Sequence, residues 1–277
     1  MKIYFDSHAH MNGERLREAD RDRIAADIEA SEVAYVIDVG YDLESSMIAA
    51  SNAKKYPWCY AAVGFHPHDA KDMDDDSLAM TKGLTKKDKV VAVGEIGLDF
   101  YRNLSPRDDQ FRCFRKQIHL ALELNMPIII HDRDANNDVM NVLKEEGVFS
   151  KSRTGQFPKH PVTGRPDAKL LMHCFSGSNE LAMQYVKLGA TISIAGPVTY
   201  SNARKVVEVV DAVPLEHLLI ETDSPYLTPE PFRGKPNSSS LVKYVAMKIA
   251  EIKGVSVEET ARVTCENAKR FFGIQEN

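Results

Sequence analysis

Asp6, His8 and His10 fall at every second position of the stretch FDSHAH, residues 5–10. On an extended strand this spacing turns one carboxylate and two imidazoles to one face. Two neutral imidazoles on one face can chelate a metal ion, and the reading gains force if further donors converge on them. Such donors follow at intervals as Glu95, His131, His173 and Asp223. Six donors exceed what one tetrahedral zinc with an open position needs. They suit two divalent ions about 3.5–4 Å apart that share a carboxylate. Glu95, midway in the order, is expected to be the shared group. His8, His10 and Asp223 would hold one ion, and His131 and His173 the other. The ions are expected to be Zn²⁺, Mn²⁺ or Mg²⁺, with the imidazoles favouring the softer two. The reaction class that follows is metal-assisted hydrolysis, with a hydroxide activated by the two metals as nucleophile. Asp223 is expected to take and return a proton, and Glu95 to share in catalysis.

These residues need a scaffold that collects them. Eight short apolar runs read as strands, at 2–5, 34–40, 59–65, 90–99, 127–131, 170–175, 190–196 and 217–223. Amphipathic stretches separate them, for example 106–124 and 202–213, and 240–272 reads as two further helices, the second starting at Ser256. Eight βα units in a chain of 277 residues predict a single-domain (β/α)₈ TIM barrel. A doubly wound sheet is disfavoured because no glycine-rich nucleotide fingerprint follows a strand. In such a barrel chemistry collects at the C-terminal strand ends, where the six donors fall. Alternation is expected to put Val91, Val93 and Glu95 on one face, Ile129 and His131 on another, and Glu221 with Asp223.

Composition narrows the alternatives. Net charge is −5, which excludes a strongly basic nucleic-acid coat but not an enzyme of nucleic acids, since bound metals supply positive potential. No apolar run approaches the ~20 residues of a membrane span, and MKIYFDSHAH lacks a signal-peptide layout. Cys59, Cys113, Cys174 and Cys265 are scattered and read as reduced packing thiols of a cytoplasmic protein. One tryptophan and 8% aromatic residues offer no obvious base-stacking platform, so contact through phosphates is expected.

FDSHAH, GFHPHDA (64–70), GEIGLDFYR (94–102), IHDRDANNDV (130–139), HCFSGS (173–178), ETDSPYLTP (221–229) and RGKPN (233–237) occur in that order. Together they resemble the TatD-type metal-dependent deoxyribonucleases, within the amidohydrolase-like barrels. The resemblance spans nearly the whole chain and implies a dinuclear site acting on DNA phosphodiesters. It places the metal ligands on His8, His10, Glu95, His131, His173 and Asp223, the set already reached from strand positions. It also puts His66 near the scissile phosphate. Two departures stand out: SSSLVKYV follows RGKPN, and the stretch 148–168 is longer than the usual link into strand 6. That link leads to the barrel face opposite the site, so it is expected to be a surface insertion or a subunit contact.

Around the cage, Arg133 is a candidate to hold a phosphate bidentately, or else to pair with a loop carboxylate. Asn237 is a candidate substrate contact, as are Arg102, Arg233 and Lys235. Glu221 is expected to orient a ligand, and Asp6 to do so or to bind backbone. The acidic run DMDDDS (72–77) reads as an ordinary helix start. The leading expectation is an exonuclease acting on exposed or single-stranded DNA ends. An acyl ester or amide hydrolase, such as an aminoacyl-tRNA deacylase, is the alternative, because the same ions serve either substrate. A metal-binding protein without catalysis is a third possibility, disfavoured by the intact ligand set.

Overall fold

Runs rich in valine, isoleucine and alanine form strands here because branched and small apolar side chains suit a parallel sheet buried on both faces. The computed structural model describes residues 2–13 and 16–275. Its strands are β1 (Tyr4–Ala9), β2 (Val33–Val39), β3 (Cys59–Val63), β4 (Val90–Asp99), β5 (Ile128–Arg133), β6 (Leu170–Met172), β7 (Thr191–Ile194) and β8 (Leu218–Ile220). They lie in chain order within one eight-stranded sheet. The sheet closes where Ala9 bridges Ser224, with His10 N donating to Ser224 O at 2.8 Å and Asp223 N to His8 O at 2.9 Å. The expected TIM barrel is the fold.

Two apolar layers follow from strand alternation. Tyr4, Val36, Val63, Ile128, Ile130, Ile192 and Ile220 pack outward against the helices. Phe5, Ile37, Ala62, Ile129, Leu171 and Leu219 fill the interior. Below them the helix Val257–Phe272 brings Phe271, Phe272, Ala268 and Cys265 against that inner layer. The rings of Phe5 and Phe272 stack with centroids 5.9 Å apart, so the N-terminal end of the barrel is plugged. This helix starts as expected: Ser256 caps it by accepting from Glu259 N at 3.0 Å. Asp74 likewise accepts from Ser77 N at the head of the helix Asp75–Leu84, which accounts for the acidic run.

Strict alternation fails at two places. Strand β1 is longer than 2–5 and includes His8, yet Asp6 does not share the histidine face. Ser7 reaches inward to Ser193 Oγ at 3.0 Å. Asp6 turns the other way and accepts from Thr222 N at 2.9 Å and Thr222 Oγ1 at 2.6 Å. The pairing with β2 shifts register between Asp6 and Ala9, and this irregularity turns Ser7 and His8 inward in succession. On β4 the pairing with β5 shifts between Val93 and Ile96. Val93 therefore joins the outer layer with Ile96 and Leu98, while Glu95 points in. Strands β6 and β8 end before His173 and Asp223, which stand on the loops just beyond.

The stretch 148–168 lies at the N-terminal end, as expected, but it is more than a surface ornament. Arg153, 2% exposed, donates to Met126 O at 2.6 Å and Asn125 Oδ1 at 3.3 Å just before β5. His160 Nε2 sits 2.9 Å from Glu216 O, and Thr163 Oγ1 sits 3.1 Å from His217 Nε2, just before β8. The insertion clamps the roots of two strands.

Candidate metal centre

Glu95 stands at the middle of the upper barrel, and its two carboxylate oxygens face different partners. Oε2 is 3.4 Å from His8 Nε2 and 4.0 Å from His10 Nε2. Oε1 is 2.7 Å from His131 Nδ1, 3.3 Å from His173 Nε2 and 3.8 Å from His66 Nε2. Asp223 closes the first group, with Oδ1 3.4 Å from His10 Nε2 and 4.0 Å from His8 Nε2. The six residues singled out from strand positions thus meet in one cage, and His66 joins it.

The ring nitrogens turned away from Glu95 are mostly held. His10 Nδ1 lies 2.7 Å from Val39 O and His131 Nε2 lies 3.2 Å from Asp99 Oδ2, while His173 Nδ1 makes a 2.8 Å ion-pair contact with Glu221 Oε1 without hydrogen-bond geometry. A proton on each rear nitrogen leaves the lone pair of the forward nitrogen aimed into the cage. This is the arrangement that metal-ligating histidines adopt. The forward atoms also have the spacing of a coordination shell. Two nitrogens bound to one zinc at about 2.0–2.1 Å and a tetrahedral angle stand about 3.3–3.4 Å apart; His8 Nε2 and His10 Nε2 are 3.3 Å apart. The donor set and its geometry fit divalent metal, and the clusters His8–His10–Glu95, His8–His173–Asp223 and His66–Glu95–His131 each bring ligand atoms within 4.8 Å.

Electrostatics point the same way. Burial opposes charge on His173, yet Glu221 and Glu95 carry its imidazole up to about 10. Burial likewise opposes His131, but Asp99 and Glu95 raise it to about 9. Glu95 is held well below its ordinary value, against the pull of burial, by His173 and His66. Asp223 is held low by His10 and His173, again against burial. A pocket that forces protons onto its imidazoles in this way is a pocket short of positive charge. His66 behaves differently: burial first, then His131, push it well below its ordinary value. Its Nδ1 accepts from His68 N at 3.0 Å, so the neutral ring carries its proton on Nε2, which lies 3.1 Å from His131 Nδ1 and 3.8 Å from Glu95 Oε1.

Several supporting residues escape sequence reasoning. Asp99 holds both His131 and, at 2.8 Å, His68. The available signal was its place four residues after Glu95 on the same strand, at the end of GLD. Gly97 lies between them because a Cβ there would stand 1.9 Å from His131 O; only glycine lets β5 approach this closely. Asn237, expected at the substrate, has a structural task in the fold. It is buried, and its Nδ2 donates to Thr222 O at 2.9 Å and Tyr226 O at 2.6 Å, bracing the loop that carries Asp223. Arg133 makes no ion pair among the described residues; it lies over the Tyr101 ring, 4.1 Å from its centroid. Glu221 orients His173 and also accepts from Cys174 N at 2.8 Å. Asp6 holds Thr222 backbone and side chain, as described above.

A parallel barrel with imidazoles and carboxylates gathered at its C-terminal mouth has the makings of a metal-dependent hydrolase. Within that class the chain belongs to the TatD family: residues 5–273 match the family model described as TatD related DNase. It is 46% identical to the uncharacterized metal-dependent hydrolase YabD of Bacillus subtilis (strain 168), over 98% of this chain and 100% of that protein. It is 33% identical to a protein of Escherichia fergusonii named 3'-5' ssDNA/RNA exonuclease TatD, over 92% of this chain and 94% of that one. Among solved structures, the TatD homolog YJJV of Escherichia coli K12 superposes with a TM-score of 0.84 at 27% identity, covering 99% of each chain. No helix among the described residues is long and apolar enough to cross a membrane.

Proposed function

We propose that this hydrolase cleaves phosphodiester bonds at the ends of single-stranded DNA, with His8, His10, Glu95, His131, His173 and Asp223 holding two divalent ions. The observation that carries the reading is the division of Glu95, one oxygen toward His8 and His10, the other toward His131 and His173. Bound there, the ions would supply Lewis acidity and ease the ionisation of water. The chain supplies the rest. Asp223, whose side chain is 15% exposed against 4% for Glu95, is the cage carboxylate nearest the opening. Held ionised by its neighbours, it can accept a proton from attacking water and return it to the leaving oxygen. His66 Nε2–H donates toward a non-bridging phosphate oxygen. Asp99, Glu221 and Val39 O keep the ligating nitrogens aimed, so little reorganisation accompanies reaction. The names of the exonuclease relatives support 3′ ends as the point of attack.

The test is a time course on 5′-labelled single-stranded DNA with protein stripped of metal and reloaded with Mg²⁺, Mn²⁺ or Zn²⁺. An aminoacyl ester runs beside it, with Asp223→Ala as control. Metal-dependent shortening from the 3′ end that disappears in the variant is the expected result. Intact DNA with metal-dependent loss of the ester would move the activity to acyl hydrolysis in the same cage.

A further inference from the structure

Among the described residues, two of the most exposed aromatic side chains both stand on loops around the cage: Tyr101, 64% exposed, and Tyr226, 62% exposed. Tyr226 follows the end of β8, and its ring centroid lies 6.4 Å from that of His10. Tyr101 follows the end of β4, and Arg133 at the end of β5 lies over it. On the β7 and β8 side, Arg233 lies over Tyr200 at 4.2 Å from the ring centroid. Tyr200 is itself fixed, its hydroxyl donating to Thr228 O at 3.1 Å. Arg133 and Arg233 are both exposed and make no ion pair among the described residues. A guanidinium stacked flat on a ring keeps its N–H edge free, and that edge matches a phosphate bidentately.

We infer that these groups form a strand-end clamp, in which Tyr226 stacks on the terminal base beside the cage while the Tyr101–Arg133 and Tyr200–Arg233 pairs hold the flanking phosphates. The inference rests on the nuclease reading and specifies its substrate as a polynucleotide end with an unpaired terminal base. Stacking uses the face common to all bases, so the clamp tolerates any sequence. A terminal base in a duplex also has one free face, but it brings a paired partner strand to the mouth, whereas an unpaired terminal base enters alone. An acyl ester or a lone phosphate monoester would use the cage and leave both tyrosines uncovered.

The experiment uses metal-loaded full-length protein and single-stranded DNA whose 3′ residue is either 2-aminopurine or an abasic sugar. Stacking quenches 2-aminopurine fluorescence, so the wild type is expected to quench the terminal probe and Tyr226→Leu to leave it bright, with Tyr226→Phe restoring the quench. Removing the base is expected to raise the wild-type KM roughly tenfold and to leave the KM of Tyr226→Leu where it already is. Arg133→Gln is expected to raise KM for both strands alike, since it reads phosphate. If the wild type shortens the strand while Tyr226→Leu quenches the probe and responds to base removal as the wild type does, the clamp is wrong and the nuclease reading stands. If the wild type neither binds nor shortens the strand, both fall together.

Discussion

At the C-terminal mouth His131 and His173 pack against Glu95, Asp99 and Glu221, and both are pushed above the ordinary histidine range. At the N-terminal end His160 and His217 are buried, with ring centroids 4.7 Å apart. There the shifts run downward. Burial and then Arg270 lower His160, and burial, His160, Arg165 and Arg270 bring His217 down to about 4. Burial pulls all four imidazoles down, and the groups beside each ring decide where it ends. Carboxylates behind an imidazole prepare it to receive a cation, and cations beside an imidazole keep it a neutral strut. What distinguishes a ligand from a packing histidine is therefore the charge of its neighbours, not its burial.

Breaking the hub of the upper cluster should have the largest effect. Glu95→Ala is expected to abolish metal uptake and bring turnover to background, seen by elemental analysis alongside the assay; full metal content in the variant would remove Glu95 from the cage. Gly97→Ala comes next. Its methyl group has no room beside His131 O, and a displaced ligand is expected to cost on the order of 10²-fold in kcat/KM. Unchanged kinetics with a refined structure in register would show that β5 can yield. Glu221→Gln removes the charge behind His173 and should weaken metal affinity by about 10–100-fold, measured by competition with a chelator.

The lower cluster should respond in a different currency. Arg153→Ala loses the charged hydrogen bond to Met126 O and is expected to lower stability by about 1.5–3 kcal/mol while kcat per folded molecule holds. A fall in kcat at constant Tm would erase the contrast between the two ends. The smallest expected effect concerns pH. His217 has a folded value below its unfolded one, so the stability it contributes is present above about 6.5 and is lost as pH falls through about 4. His217→Asn should therefore flatten the decline of the urea midpoint over that interval. A decline as steep as the wild type's would assign acid sensitivity elsewhere.

The six cage residues were legible because donor types that are rare in apolar strands recur at strand ends, and the parallel barrel brings those ends to one mouth. The faces were less legible. Asp6 seemed to share the face of His8 because periodicity assumes an unbroken strand, and the irregularity between Asp6 and Ala9 depends on pairing with β2. Val93 was misplaced for the same reason. The bracing role of Asn237 was not legible, because its partners are carbonyls of Thr222 and Tyr226, 15 and 11 positions away, which no local pattern reveals. The expectation of a surface insertion or subunit contact for 148–168 rests on its place opposite the site and says nothing of Arg153 being buried. Its burial follows from carbonyls left over where β5 begins.

The plug formed by Phe271 and Phe272 under Phe5 makes the barrel a well rather than a tunnel. Whatever reaches Glu95 must come back out by the opening through which it came in. On the proposed nuclease reading a strand cannot be drawn through, so the released piece and the shortened remainder would share one doorway. Product and substrate then exclude each other, and product inhibition of this enzyme is expected to be competitive.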